Sequence, residues 1–312
     1  MHIAKKLTLE AEDVKDTINH ILKKNDVNKE VSKHVVNFAD TKNNFPFAEL
    51  ALDHYLAFGG NDFEEILDLG TGIELLILAA DIFDDIQDKD RPNAEWMKMD
   101  QAVSLNIATL IYTIALQVIS SRDPEGLLLK TALKYTVQAM EGQHIDLVDN
   151  TLTENQCIEM IKKKSGALTA LASMLGAVLA TKRYQSDVEQ YAFYIGVAAQ
   201  LKNDLFEIMY VNNTETFFKK TNLAIQFLEK KFNTVSTELL NNNFQQSELK
   251  RLLLDSGVIH YMSVMINVYN LKVKNGLENL NLTLENKNYL IKKICENEKV
   301  DKNAGNSKLF SS

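Results

Sequence analysis

The sequence predicts an all-α fold, a bundle of long helices. Three prolines and twelve glycines in 312 residues are too few breakers for a sandwich, a barrel or a βαβ series. Leu, Ile, Ala, Lys, Glu and Asn are abundant, and apolar residues recur at helical spacing over most of the chain. No repeat with a period of about 20–50 residues and no linker-like boundary appears within 1–300. Residues 1–300 are therefore expected to form one helical domain, and the end, DKNAGNSKLFSS (301–312), has the composition of a disordered tail.

Charge narrows the function classes. A net charge of -8 and a pI near 5.4 leave no nucleic-acid footprint, and the basic residues form no long run. Cys157 and Cys295 lie far apart without CxxC spacing, which predicts two reduced thiols. No stretch reaches about eighteen apolar residues free of charge, and MHIAKKLTLEAEDVKD has no signal-peptide core. The expectation is a cytoplasmic, soluble protein, with peripheral membrane contact left open.

Residues 8–24 alternate charge with Leu, Val and Ile at helical spacing, an amphipathic first helix with no chemistry assigned to it. After a loop from Asn43, a second predicted helix opens near Pro46 and closes at Gly59-Gly60. His54, among Leu and Tyr, has the setting of a packed histidine rather than a ligand. The next helix must stop by Arg91, because Pro92 pushes its predecessor out of the α region. Residues 95–119 read as an apolar helix with Trp96, the only tryptophan, packed at its start. In the helix over 127–150, Gln143 and Asp146 share a face. Residues 151–180 follow, with Thr153 as N-cap and a cluster Lys162-Lys163-Lys164 that is a solvated face or an anion contact. Residues 186–211 form a further helix, and 222–242, 246–274 and 280–296 complete the bundle.

The chemistry is concentrated where Ile73 to Ile82, an apolar run, meets Asp81, Asp84, Asp85 and Asp88, with Asp90 beyond. At about 100° per residue the first four fall on one stripe of one helix. Like charges three and four apart repel by a few tenths of a kcal/mol per pair, and acids near a helix C-terminus oppose its dipole. A helix this apolar is not solvent-facing, so the acids are expected to line a buried cavity and meet a cation. Hard divalent ions with oxygen ligands, Mg²⁺ above all, are the natural partners. A second acidic group, Gln200 to Glu207, interrupts another apolar helix, where Asn203 and Glu207 share a face with Asp204 about 100° away.

From about residue 42 to 221 this layout resembles the trans-polyprenyl diphosphate synthases. The matching residues run in order: Glu74 ten residues before the first motif, Asp84-Asp85-Ile86-Gln87-Asp88 as DDxxD, and Gly142-Gln143-x-x-Asp146-Leu147 as GQxxDL. Lys164-Ser165-Gly166 follows as KTG, then Gln200 through Glu207 as the second acidic motif and Lys219-Lys220-Thr221 as its basic trailer. Within that superfamily LAFGG, GIELLILAADIFDD and Asn203-Asp204-x-x-Glu207 look most like the ComQ family, which prenylates a tryptophan of a bacterial competence-pheromone precursor.

The resemblance implies an isoprenoid-synthase-type bundle around a central cavity. It implies Asp84, Asp85 and Asp88 as the catalytic motif, with Mg²⁺, three ions per site, held by Asp84, Asp88, Asn203, Asp204 and Glu207. Lys164, Lys219 or Lys220, Arg91, Gln143 and Asp146 would meet the diphosphate. Ala79 and Ala80, one turn below Asp84, would flank the prenyl tail of a geranyl or farnesyl donor. Partners would be that allylic diphosphate, a small precursor peptide carrying a Trp, and a second copy of the chain in a homodimer.

Elongating synthases hold isopentenyl diphosphate with a GKRLRP-type segment, a histidine and an Arg-Arg pair. Aligned on Pro46, this chain keeps Lys42 but has Asn43 and Phe45 for the arginines, Ile77 for the histidine and a single Arg91. A second diphosphate would be poorly held by so few cations, so the acceptor pocket, with Phe45 and Ile77, is expected to take an indole. Two other readings stay open. One is an ordinary short-chain polyprenyl or terpene synthase, and the other a catalytically silent subunit of a heteromeric synthase.

Overall fold

The computed structural model describes residues 8–89, 91–123, 125–148, 153–209, 223–232, 251 and 253–296. Among these residues there is no strand. The helices are α1 (Ala11–Lys24), α2 (Lys29–Asp40), α3 (Pro46–Ala57), α4 (Phe63–Asp88), α5 (Gln101–Ser121), α6 (Leu127–Val148), α7 (Glu154–Ile161), α8 (Ala167–Thr181), α9 (Ser186–Met209), α10 (Leu223–Phe232), α11 (Val258–Glu278) and α12 (Leu284–Ile291). Lys219, Lys220, the tail 301–312 and parts of the helices expected over 222–242 and 246–274 lie outside the described residues.

Local chemistry accounts for most boundaries. Pro46 opens α3, where a missing N–H costs nothing. Asp62 caps α4 by accepting the Glu65 N–H at 3.1 Å. Thr153 and Gln156 form a reciprocal capping box at α7, at the position the sequence predicts. α4 ends at Asp88 with Lys89 in the left-handed conformation, three residues ahead of Arg91. α2 is not among the elements expected from the sequence. Its signal is Asn28, whose side chain accepts the Glu30 N–H, followed by Val35 and Phe38 as its buried stripe in an otherwise charged segment.

α4 is the central helix: from Ile66 to Ile86 most of its residues are buried, and α1, α3, α5 and α8 pack around it. α8 is buried on all sides, which explains its small and aliphatic composition. His54 is fully buried, with Nε2 2.8 Å from the Tyr191 hydroxyl and Nδ1 2.7 Å from the Leu50 carbonyl, as a packed histidine should be. Burial holds its pKa down at about 4, so it stays neutral. Against the expectation from the sequence, α5, with no charged residue in its 21, and residues 154–181 are long and apolar enough to cross a membrane, but 83% of the latter's apolar window is buried inside the bundle, where core packing accounts for it.

Candidate active site

A cavity of about 440 Å³ opens beside the C-terminal half of α4. Leu76, Ala80 and Asp84 succeed one another along its wall at four-residue spacing, so the wall drops about 12 Å from carboxylate to leucine. Phe83, Tyr112 from α5 and Leu168 from α8 make the deep part apolar, and Thr136, Ala139 and Met140 supply the α6 side. Asp84, Gln87, Gln143, His144 and Lys164 make the polar part. One half can bury an apolar chain and the other can hold a charged head, as in many ligand sites.

Lys164 is the focus of the charged half. Its ammonium lies 3.0 Å from Asp84 Oδ1, 2.8 Å from Asp146 Oδ2 and 3.8 Å from Asp88 Oδ2. Burial works against its charge, but Asp84 and Asp146 outweigh that, so its pKa stands above the ordinary lysine value. Two features place it. Residues Lys162–Gly166 form a π-turn between α7 and α8, a bulge of the kind found at functional sites. Gly142 on α6 has no Cβ, and a methyl group there would overlap the Lys164 backbone nitrogen. The glycine of the GQxxDL motif thus lets α6 approach closely enough for Asp146 to reach the lysine. Gln143 Nε2 stands 3.5 Å from Asp88 Oδ1.

Opposite, α9 carries the second acidic group. Ser165 donates to Gln200 Oε1 at 3.0 Å, and Gln200 Nε2 donates to Asp204 Oδ1 at 2.8 Å, which ties this group to the π-turn. Asp204 is buried, Asn203 half-buried and Glu207 exposed. Among the described residues no three Asp, Glu, His or Cys side chains gather closely enough to ligate one ion. The lysine ammonium instead stands among three carboxylates, the place a cation occupies, and the donors at the mouth are hard oxygens. This set fits a hard divalent ion.

Several residues expected at the site lie elsewhere. Asp85 is 1% exposed and turned out of the cavity, accepting from Arg91 Nε and Trp96 Nε1, each at 2.7 Å. There it holds Arg91 and the segment after α4 and does not line the cavity. Arg91, committed to Asp85 and at φ 46°, does not line the cavity either. Ala79 is fully buried and faces the core, one residue round the helix from Ala80. Phe45 and Ile77 are likewise core residues, 2% and 1% exposed, and form no wall of the cavity.

The sequence reading missed Leu76, Phe83, Tyr112 and Leu168, although Leu76 could have been found by stepping four residues back from Ala80. It also missed a buried ionic cluster on the adjoining face of α4. Lys42 Nζ lies 3.1 Å from Asp81 Oδ2. Glu74 Oε1 accepts the Phe47 and Ala48 N–H groups at the start of α3 at 2.8 and 2.9 Å. Burial pushes Glu74 up to about 7, against the pull of Lys42 and these two N–H groups. Burial also raises Asp81, against Lys42 and Arg91.

The family description for polyprenyl synthetases matches residues 17–256. The chain is 40% identical over 296 residues to the tryptophan prenyltransferase ComQ of Bacillus subtilis subsp. natto, covering 93% of this chain and 94% of that protein. It is 36% identical over 280 residues to the protein of the same name from Bacillus subtilis strain 168, covering 86% and 94%. Its fold is similar to that of the geranylgeranyl pyrophosphate synthetase of Geoglobus acetivorans, with TM-score 0.75, 21% identity and 94% and 98% of the two chains covered. A polyprenyl synthase of Caulobacter crescentus, solved with calcium and isoprenyl diphosphate, gives 0.73 at 17% identity over 91% and 93%.

Proposed function

The chain belongs to the polyprenyl synthetase family, and we propose that it is a tryptophan prenyltransferase that moves a geranyl or farnesyl group from an allylic diphosphate to a tryptophan of a small precursor peptide, a step of pheromone maturation in quorum sensing and competence. The observation that carries this reading is the likeness to the two ComQ proteins over nearly their whole length, joined to a cavity with one apolar and one ionic half.

Each half has its own work. Leu76, Ala80, Phe83 and Tyr112 bury the prenyl tail and point its reactive end at the Asp84 side. Lys164 lies where the diphosphate's growing negative charge would develop, and Lys219 or Lys220 would add to it. Mg²⁺, three ions per site, held by Asp84, Asp88, Asn203, Asp204 and Glu207, would neutralise the leaving group. Apolar walls keep water from quenching the allylic cation, and a neutral indole attacks it without needing a strong base. A cytoplasmic location is part of this proposal. A homodimer is supported by the exposed apolar Val103, Leu105, Leu133 and Val137 on the neighbouring helices α5 and α6.

The test supplies Mg²⁺ and farnesyl diphosphate, then offers labelled isopentenyl diphosphate or a tryptophan-bearing precursor peptide. Peptide alkylation without chain elongation is expected. Elongation with no peptide modification would return the protein to the ordinary synthases, and neither reaction would favour a silent subunit.

The walls also set donor length. Ala80→Phe fills the cavity a turn below Asp84 and should shift preference from farnesyl toward geranyl diphosphate, by about 10- to 200-fold per displaced apolar unit. Ala79→Phe forces a ring into a fully buried site and should cost about 1–3 kcal/mol of stability instead. Competition assays and melting curves separate the two effects. A donor shift in Ala79→Phe with an unchanged melting point would contradict this placement of the tail.

A further inference from the structure

We propose that Asp81 decides the class of acceptor: by pairing with Lys42 it removes the cation that a second diphosphate would need, and so reserves the acceptor side for a neutral ring. This rests on the function proposed above. The reactive end of an allylic donor lies near Asp84, so an acceptor must approach beside that carboxylate. One approach is the tail's own channel. The other is the adjoining face of α4, where Asp81 precedes Asp84 by three residues and the side chains of Lys42 and Arg91 reach solvent, 21% and 33% exposed.

Both cations on that face are already paired with a carboxylate. Lys42 Nζ lies 3.1 Å from Asp81 Oδ2, and Arg91 Nε 2.7 Å from Asp85 Oδ1. Glu74 is a second acid acting on Lys42, so the face carries no surplus positive charge. Asp81 is 1% exposed, and its second oxygen, Oδ1, has no hydrogen-bond partner among the described residues. Placing such a carboxylate in a protein interior is costly. Packing gains nothing from it that a leucine would not supply, so its charge is what sets it apart. An anion arriving here would meet two cations whose charge Asp81, Asp85 and Glu74 already offset from beneath, whereas an uncharged aromatic ring needs no such charge.

The test separates the acceptor side from the donor site. With Mg²⁺ present and the donor site filled by a non-reactive farnesyl thiodiphosphate, the affinity for isopentenyl diphosphate is measured by calorimetry. Wild-type protein should bind it weakly. Asp81→Asn, which keeps the shape and removes the charge, should bind it on the order of tenfold or more tightly, and Lys42→Met in that background should cancel the gain. With farnesyl diphosphate the Asp81→Asn protein should also begin to form an elongated diphosphate. If Asp81→Asn melts early, Asp81→Leu, which fills the site without a charge, discriminates in its place: it should show the same gain. Equal affinity in wild type and the Asp81 variants, or a gain that survives Lys42→Met, would each overturn the proposal. None of these readings uses a peptide, so failure of tryptophan alkylation is a separate outcome.

Discussion

Asp84→Ala is expected to abolish prenyl transfer while leaving the helical bundle folded. Asp84 lines the cavity at the junction of its ionic and apolar halves, and its carboxylate is one of three around a single ammonium. Removing it would take away a proposed ligand for a divalent ion, so the rate should fall on the order of a thousandfold. Stability should hardly change. Lys164 keeps Asp146 and Asp88, and the loss of one carboxylate relieves repulsion among the others, which leaves a net effect of about 1 kcal/mol or less. Asp85→Ala should behave in the opposite way, because it leaves the Trp96 indole N–H and the Arg91 guanidinium without their buried acceptor. It should lose about 1–3 kcal/mol. Turnover and thermal melts on both variants decide the matter. An active Asp84→Ala enzyme would remove the metal assignment, and an inactive but fully stable Asp85→Ala would return Asp85 to the chemistry.

Lys164→Ala should fail on both counts, and magnesium should repair only one of them. Without the ammonium, Asp84, Asp88 and Asp146 would surround the space it left with nothing between them. Breaking a fully buried pair costs about 3–5 kcal/mol. These side chains are 15–18% exposed, so water screens part of the repulsion and the expected loss is smaller, about 1–3 kcal/mol. In chelator the variant should therefore melt several degrees below wild type. Added Mg²⁺ should recover most of the difference, because a divalent ion can stand where the ammonium stood. Activity should not recover, since the proposed contact to the diphosphate would be gone, and kcat/KM for the allylic donor should stay about a hundredfold down or more. A Lys164→Ala protein with an unaltered KM for the donor would show that the lysine serves the carboxylates alone.

The helical class and much of the bundle's layout were legible in the sequence because they are set by local rules: few breakers, helical spacing of apolar residues, Pro46 at one helix start and Thr153 at another. α2 escaped because its apolar stripe is narrow and its remaining residues are charged, so periodicity alone left it in shadow. The acidic motifs were legible for a different reason, since carboxylates on an apolar helix are expensive wherever the helix goes.

What only tertiary structure decided is which way each of those side chains turns. Asp84 and Asp85 are neighbours in one motif, yet 100° of helix sends one to the cavity and the other to Trp96 and Arg91. Ala79 and Ala80 part in the same way, one into the core and one into the cavity. The sequence by itself determined which residues carry charge and which segments are helical. It could not determine pairing, because Lys42 with Asp81 and Lys164 with Asp146 are contacts between different elements, set by how close packed helices come. That closeness depends on side chains as small as the hydrogen of Gly142, where a single methyl group would push Lys164 away from the acid it neutralises.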